Sequence, residues 1–120
     1  MSSALVGKWG EAKAAHYLQE KGYKIDALNF HSRFGELDIV ARKKNILAFV
    51  EVKLRKNNKH GAALEFVNFQ KQNKLRLTAE VYLQENNITK LQPRFDVIEI
   101  YAPNGISDDY TLNHIENAFE

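Results

Sequence analysis

The chain has 120 residues, no cysteine and a formal net charge of +2, a length that predicts one domain over residues 1–120 with a single hydrophobic core. The lack of cysteine excludes disulfides, thiolate metal sites and cysteine nucleophiles, and no segment has the apolar length of a transmembrane helix or a secretory signal. We therefore expect a soluble cytoplasmic protein whose global charge does not indicate a nucleic-acid partner.

The first half of the chain predicts one helix followed by three strands. Residues 3–21 are rich in Ala, Leu, Lys, Glu and Gln, and Gly22 is placed to cap this helix. Residues 23–31 alternate imperfectly, as in a half-buried strand. Residues 33–55, RFGELDIVARKKNILAFVEVKLR, are typical of two apolar strands joined by a short polar turn.

The second half predicts a long helix and two further strands. A basic, turn-rich loop at 54–61 leads into helical spacing at 63–86. Residues 94–102 are typical of a strand that ends at a PNG turn, and 111–119 of a short strand. The order α-β-β-β-α-β-β predicts a mixed α/β domain with the middle of its sheet at residues 33–55.

Four ionisable residues interrupt the two apolar strands: Glu36, Asp38, Glu51 and Lys53. A buried charge costs several kcal/mol unless it is paired, hydrogen-bonded or bound to a metal. Strands this apolar therefore need a physical reason to keep four such groups.

The turn between these strands sets which groups face each other. A tight turn centred on residues 44 and 45 pairs residue 43 with 46, and this register, continued along the hairpin, sets Asp38 opposite Glu51 and Glu36 opposite Lys53. Opposed carboxylates about 5 Å apart repel by roughly 3 kcal/mol at an effective dielectric near 20. We therefore expect a divalent cation, Mg²⁺ or Mn²⁺, between them, with Lys53 beside the ion and a bound phosphate.

An ion-pair network without a metal is the alternative interpretation of these residues. In that network Glu36 would pair with Lys53, and Asp38 with Arg55 or Arg33. The apolar surroundings of Glu51 favour a functional site, because perturbed carboxylate clusters concentrate at such sites.

Two helical positions are predicted to support the site. Glu11 is the one acid on a helix face that otherwise carries apolar residues with Gly7 and Gly10, and these glycines would let the helix approach the sheet closely. Lys71 lies on the core-facing stripe of the second long helix and would reach a phosphate, although such a lysine can equally extend its amine into solvent.

Basic residues cluster after the third strand and early in the following helix. Such clusters are how a protein tracks a phosphate backbone. A solvated loop is the commoner meaning of a basic run, but the nearness of the acidic residues favours phosphate binding. The predicted DNA-binding residues are Arg55, Lys56, Lys59 and Lys71.

These motifs resemble two known patterns. An Asp followed by Glu-x-Lys on the next strand is similar to the PD-(D/E)xK nuclease core, which has the restriction-endonuclease-like fold. More closely, six segments resemble the YraN family of small bacterial proteins: GKWGEAKAAHYLQEKGY, RFGELDIVA, FVEVKLR, the helix carrying Lys71, RFDV and NAF.

The resemblance implies a mixed sheet flanked by helices and a kinship with archaeal-type Holliday junction resolvases. It implies metal binding by Asp38, Glu51 and the backbone carbonyl of Val52, with Lys53 as the catalytic lysine and Glu11 as a helix-borne catalytic acid. Leu54 departs from the small hydroxyl residue often seen in the family, which predicts altered contacts near the scissile phosphate.

The expected function is hydrolysis of DNA by a Mg²⁺- or Mn²⁺-dependent endonuclease, with branched or damaged DNA as candidate substrates and water as the nucleophile. The alternative is a catalytically silent nucleic-acid-binding module with a nuclease fold. A purely structural interaction domain explains the acid pair least well. A homodimer would suit a junction-cutting enzyme by symmetry, although the sequence carries no distinct interface signature.

Overall fold

A five-stranded mixed sheet carries one helix on each face. The computed structural model describes residues 3–57 and 67–120, and the elements follow the predicted α-β-β-β-α-β-β order. They are α1 (Ser3–Glu20), β1 (Lys24–Ser32), β2 (Gly35–Lys43), β3 (Ile46–Arg55), α2 (Phe69–Glu85), β4 (Gln92–Tyr101) and β5 (Thr111–Phe119). The strands lie side by side in chain order, with β3 and β4 parallel and the other neighbours antiparallel.

The start of α2 differs from the sequence prediction. The helix begins at Phe69, because Asn68 has an extended backbone and its side-chain oxygen accepts a hydrogen bond from the Lys71 N–H at 2.9 Å, which is the geometry of an N-cap. Residues 63–66 of the predicted helix lie outside the described residues. In the described ranges, neither helix combines the length and apolar character needed to span a bilayer.

The β2–β3 hairpin has the predicted register over five residue pairs, from Lys43 with Ile46 to Ile39 with Val50. Lys44 adopts a positive φ of 55°, as tight hairpin turns require. The ladder ends at Ile39 and Val50, so the two further pairings predicted by continuing the register are not made. The predicted pairings of Asp38 with Glu51 and of Glu36 with Lys53 were therefore wrong as ladder partners.

Two apolar cores lie on opposite faces of the sheet. On one face, Ile39 and Val50 pack with Leu18 of α1. On the other, Leu37 and Phe49 pack with Tyr82 of α2. A regular strand would direct residues 37 and 39 to the same face, so the alternation of β2 is broken around residue 38, where the ladder to β3 also ends.

The first helix approaches β3 closely at Gly10. A Cβ atom on Gly10 would lie 2.5 Å from Leu54 Cδ1, whereas one on Gly7 would meet nothing within 4 Å. The predicted close approach is therefore made by Gly10 and not by Gly7. Leu54 packs against the core on the α1 face.

The two edge strands, β1 and β5, are both irregular. The register shifts once between β1 and β2 and once between β4 and β5. Each edge strand also contains an asparagine with positive φ, 52° at Asn29 and 50° at Asn117. Asparagine tolerates this backbone conformation better than most residues do.

Gly10→Ala is expected to lower the free energy of unfolding by about 1–3 kcal/mol, because the added methyl group overpacks the contact with Leu54. Gly7→Ala is the matched control, and it should be neutral or stabilising because alanine is the better helix former. In urea denaturation, the double variant Gly10→Ala/Leu54→Ala should lose less than the sum of its single changes. Equal effects of Gly7→Ala and Gly10→Ala would contradict this account.

Candidate active site

A cavity of about 390 Å³ opens where the β2–β3 ladder ends. Asp38 takes the place of a ladder acceptor, since its Oδ2 accepts a hydrogen bond from the Val52 N–H at 2.8 Å. We call this space the acidic cavity. The residues that line it include Glu36, Asp38, Glu51, Val52, Lys53 and Lys71.

The acidic cavity brings together most of the residues predicted to form a site. Asp38 and Glu51 interact through their carboxyl groups, although they are not ladder partners. Lys53 from β3 and Lys71 from the first turn of α2 line the same space. Two neighbouring strands and one helix therefore supply its acids and amines.

Glu51 is the most perturbed acid in the cavity. Its side chain is 13 % exposed, and its Oε1 lies 3.5 Å from Lys71 Nζ. Among the described residues, no group donates a hydrogen bond to its buried Oε2. Burial and the adjacent Asp38 carboxylate raise the pKa of Glu51 to about 8, although Lys71 acts in the opposite direction.

This pair of carboxylates fits a hard divalent cation. An oxygen buried without a partner is rare in proteins and calls for an explanation, and Mg²⁺ binds through one or two carboxylates while keeping several waters. Within residues 3–57 and 67–120, no three His, Cys, Asp or Glu side chains form a ready-made metal centre. An ion bound here would complete its coordination with backbone oxygens, water and substrate.

Glu11 reaches the edge of this acidic group from α1. Burial raises its pKa, and the Asp38 and Glu36 carboxylates raise it further. The Asn29 amide lies between two acids, with its nitrogen 2.8 Å from Glu11 Oε1 and 2.9 Å from Glu36 Oε1 in the orientation that hydrogen bonding requires. Sequence reasoning missed Asn29, whose only signal is an amide inside a half-buried strand.

The predicted DNA-binding residues have different surroundings. The Arg55 side chain is 7 % exposed and lies 3.0 Å from Glu99 on β4, so it is buried in the sheet rather than presented to a phosphate backbone. The ion-pair network considered in the sequence analysis would have paired Arg55 with Asp38. In the structure Arg55 instead pairs with Glu99. Lys56 is exposed, Lys71 is 49 % exposed, and Lys59 lies outside the described residues.

Leu54 is directed away from the acidic cavity. It packs on the α1 face against Gly10, whereas the cavity contacts Lys71 and Leu75 of α2. Leu54, the residue that departs from the family pattern, thus contributes to the seating of α1, and the predicted change near the scissile phosphate stays a prediction.

A second polar cluster, centred on Asp96, was not predicted. Asp96 is completely buried and accepts hydrogen bonds from Arg94, His114 Nε2 and the Asn117 N–H, at 2.8 to 3.0 Å. Burial alone would raise the pKa of Asp96, but these hydrogen bonds bring it below its usual value. Arg94 also donates a hydrogen bond to the Tyr23 hydroxyl at 2.6 Å. The RFDV motif therefore links β4 and β5 to Tyr23, the residue just before β1.

Comparison with known proteins gives matches over most of the chain. The model of an uncharacterised protein family, UPF0102, matches residues 10–100. A UPF0102 protein of Caldanaerobacter subterraneus is 46% identical over 115 residues, covering 95% of this chain and 93% of the relative. Relatives from Clostridium tetani and Syntrophotalea carbinolica are 43% and 44% identical, each covering 96% of this chain and, respectively, 93% and 91% of the relative.

Glu51→Gln should remove a pH-dependent loss of stability. In the metal-free protein, the folded state keeps the Glu51 proton to about pH 8, while the unfolded state releases it near pH 4.5. The folded state binds more protons between these values, so wild-type stability should fall as pH rises, by about 1.4 kcal/mol per pH unit from this group. Urea unfolding from pH 5 to 9 measures this slope.

Glu80→Gln, a change at an exposed position of α2, is the control and should keep the wild-type slope. An identical slope in wild type and Glu51→Gln would contradict the raised pKa.

Proposed function

The chain belongs to the uncharacterised family UPF0102, the YraN family expected from its motifs, and from the geometry of the acidic cavity we propose that it is a metal-dependent DNA endonuclease. Asp38 and Glu51, with the carbonyl of Val52, would hold Mg²⁺ or Mn²⁺. The observation that carries the proposal is the Asp38–Glu51 carboxylate pair, in which the buried Glu51 Oε2 accepts no hydrogen bond from the described residues. Such an arrangement costs stability, and binding a cation would relieve that cost.

The proposed reaction is hydrolysis of a phosphodiester bond. The oxygen of a water molecule bonds to phosphorus, the bond from phosphorus to one sugar oxygen breaks, and a water proton ends on the departing oxygen. When bound, the metal would supply Lewis-acid stabilisation of the charge on the phosphate. Lys53 is the catalytic lysine of the proposal, and its ammonium group would stabilise the same charge from the cavity wall.

Amines along the cavity favour an anionic substrate. Lys71 and Lys74 line the cavity beside Lys53, and Lys56 is exposed just after β3. These lysines offset the repulsion between an acidic site and a phosphate. Because Lys71 is half exposed and only 3.5 Å from Glu51, its amine can exchange the carboxylate for a phosphate oxygen by side-chain rotation.

Asp38→Asn and Lys53→Ala should each reduce cleavage at least about 100-fold, since loss of one preorganised electrostatic group typically costs about 10²–10³ in rate. The assay uses linear, flapped, four-way and single-stranded DNA with Mg²⁺ and with Mn²⁺. Asp108→Asn and Lys90→Ala, both at exposed positions outside the cavity, are matched controls and should cleave like the wild type. Full cleavage by both cavity variants would refute the assignment.

A catalytically silent nucleic-acid-binding module is the second candidate function. One observation favours it: Lys71 already supplies a positive charge to Glu51 at 3.5 Å. In that case the lysine would take the place of a metal, and the basic residues would bind DNA without chemistry.

Mn²⁺ titration by calorimetry separates the two functions. A nuclease should bind Mn²⁺ at millimolar concentration or below, and Asp38→Asn and Glu51→Gln should each weaken that binding about tenfold or more, because each removes an anionic ligand. Asp108→Asn should bind Mn²⁺ like the wild type. Undetectable Mn²⁺ binding together with intact DNA affinity would instead establish the binding module.

A further inference from the structure

The turn between β1 and β2 presents a cation stacked on an aromatic ring. The guanidinium of Arg33 lies over the ring of Phe34, 4.8 Å from its centroid. Arg33 is exposed and Phe34 is half-buried. We call these two residues the stacking pair. They directly precede Gly35 and Glu36, which line the acidic cavity.

Hydroxyl contacts hold this turn against α2. Ser32 Oγ accepts a hydrogen bond from the Phe34 N–H at 3.0 Å and lies 3.1 Å from Thr78 Oγ1. Thr78 is completely buried, and its hydroxyl also bonds to the Lys74 carbonyl at 2.8 Å. These contacts hold the backbone of the turn close to the helix that carries the cavity lysines.

The chemistry of the stacking pair suits a nucleobase. Bases stack on aromatic side chains and on arginine planes without regard to sequence. In a continuous duplex both faces of each base are covered by neighbouring bases, whereas an unpaired nucleotide can turn its base outward onto such a surface. Lys71 and Lys74, which line the cavity together with Gly35, supply the charge that a phosphate backbone needs.

The position of the stacking pair limits which base it can reach. Phe34 is one residue from Gly35 at the cavity, and successive Cα atoms are about 3.8 Å apart. Nucleotides in a stacked strand advance by about 3.4 Å. Asp38 is four residues beyond Phe34, a span of at most about 13 Å in an extended chain, so a base on Phe34 would belong to a nucleotide within about four positions of a phosphate held at Asp38.

We propose that Arg33 and Phe34 form a base-stacking surface that selects DNA with unpaired nucleotides within a few positions of the phosphate to be cut. This inference rests on the proposed function, because it takes the acidic cavity as the place where that phosphate binds. It names single-stranded gaps, flaps and junction centres as the preferred DNA class over continuous duplex.

Binding measured by fluorescence anisotropy in EDTA tests the inference without cleavage. The three probes are a continuous duplex, the same duplex with a single-stranded gap, and a single strand. Phe34→Leu should weaken binding to the gapped and single-stranded probes roughly 5- to 100-fold, the range expected for one base stack, and change duplex binding less than about twofold. Phe34→Tyr should retain the wild-type preference because it keeps the aromatic ring.

Phe69→Leu is the matched control, because it makes the same change at a phenylalanine that is 71 % exposed and lies at the start of α2 rather than in the stacking pair; it should bind all probes like the wild type. Thermal melting of each variant reports whether the fold is kept. Equal weakening of duplex and gapped DNA by Phe34→Leu, or none on either, would overturn the stacking surface.

The two proposals fail in different ways. Wild-type cleavage combined with an unchanged preference of Phe34→Leu would overturn the stacking surface alone. A Phe34-dependent preference without cleavage by the wild type in Mg²⁺ or Mn²⁺ would overturn the nuclease alone. Absence of any DNA binding by the wild type would overturn both.

Discussion

The hydrogen bond from the Val52 N–H to Asp38 Oδ2 is the constraint on which the acidic cavity depends. It replaces a backbone acceptor with a carboxylate at the point where β2 leaves the β3 ladder. A side chain that competes in this way with the ladder changes the local backbone, and Leu37 consequently faces the opposite core from Ile39. The cavity of about 390 Å³ between these strand ends and α2 is large enough for a phosphate group, and both strands contribute charged side chains to its lining.

Two buried carboxylates in this fold have opposite surroundings. Asp96 receives hydrogen bonds from Arg94 on β4 and from His114 and Asn117 on β5, and its pKa is lowered. Glu51 has one oxygen without a donor among the described residues, and its pKa is raised. The first carboxylate is satisfied within the protein and holds strands together. The second is unsatisfied within the described chain, a pattern associated with functional sites.

The sequence was sufficient to predict the hairpin register and the grouping of the cavity residues, because a tight turn fixes the pairing of strands with a two-residue period. It could not predict where the ladder ends, since that depends on one side-chain hydrogen bond made by Asp38. The burial of Arg55 depends on Glu99, which is 44 residues away along the chain and is brought near by the parallel pairing of β3 with β4. Asn29 was missed because its role depends on α1 and β2 together.

The irregular edges of the sheet bear on how copies of this protein can assemble. Unpaired strand edges invite pairing with other chains, and bulges with a locally stronger twist discourage it. Both β1 and β5 depart from regular strand geometry. Aggregation by edge-to-edge stacking is therefore disfavoured, and any two-fold assembly would more readily use helix or loop surfaces than one sheet extended across both subunits.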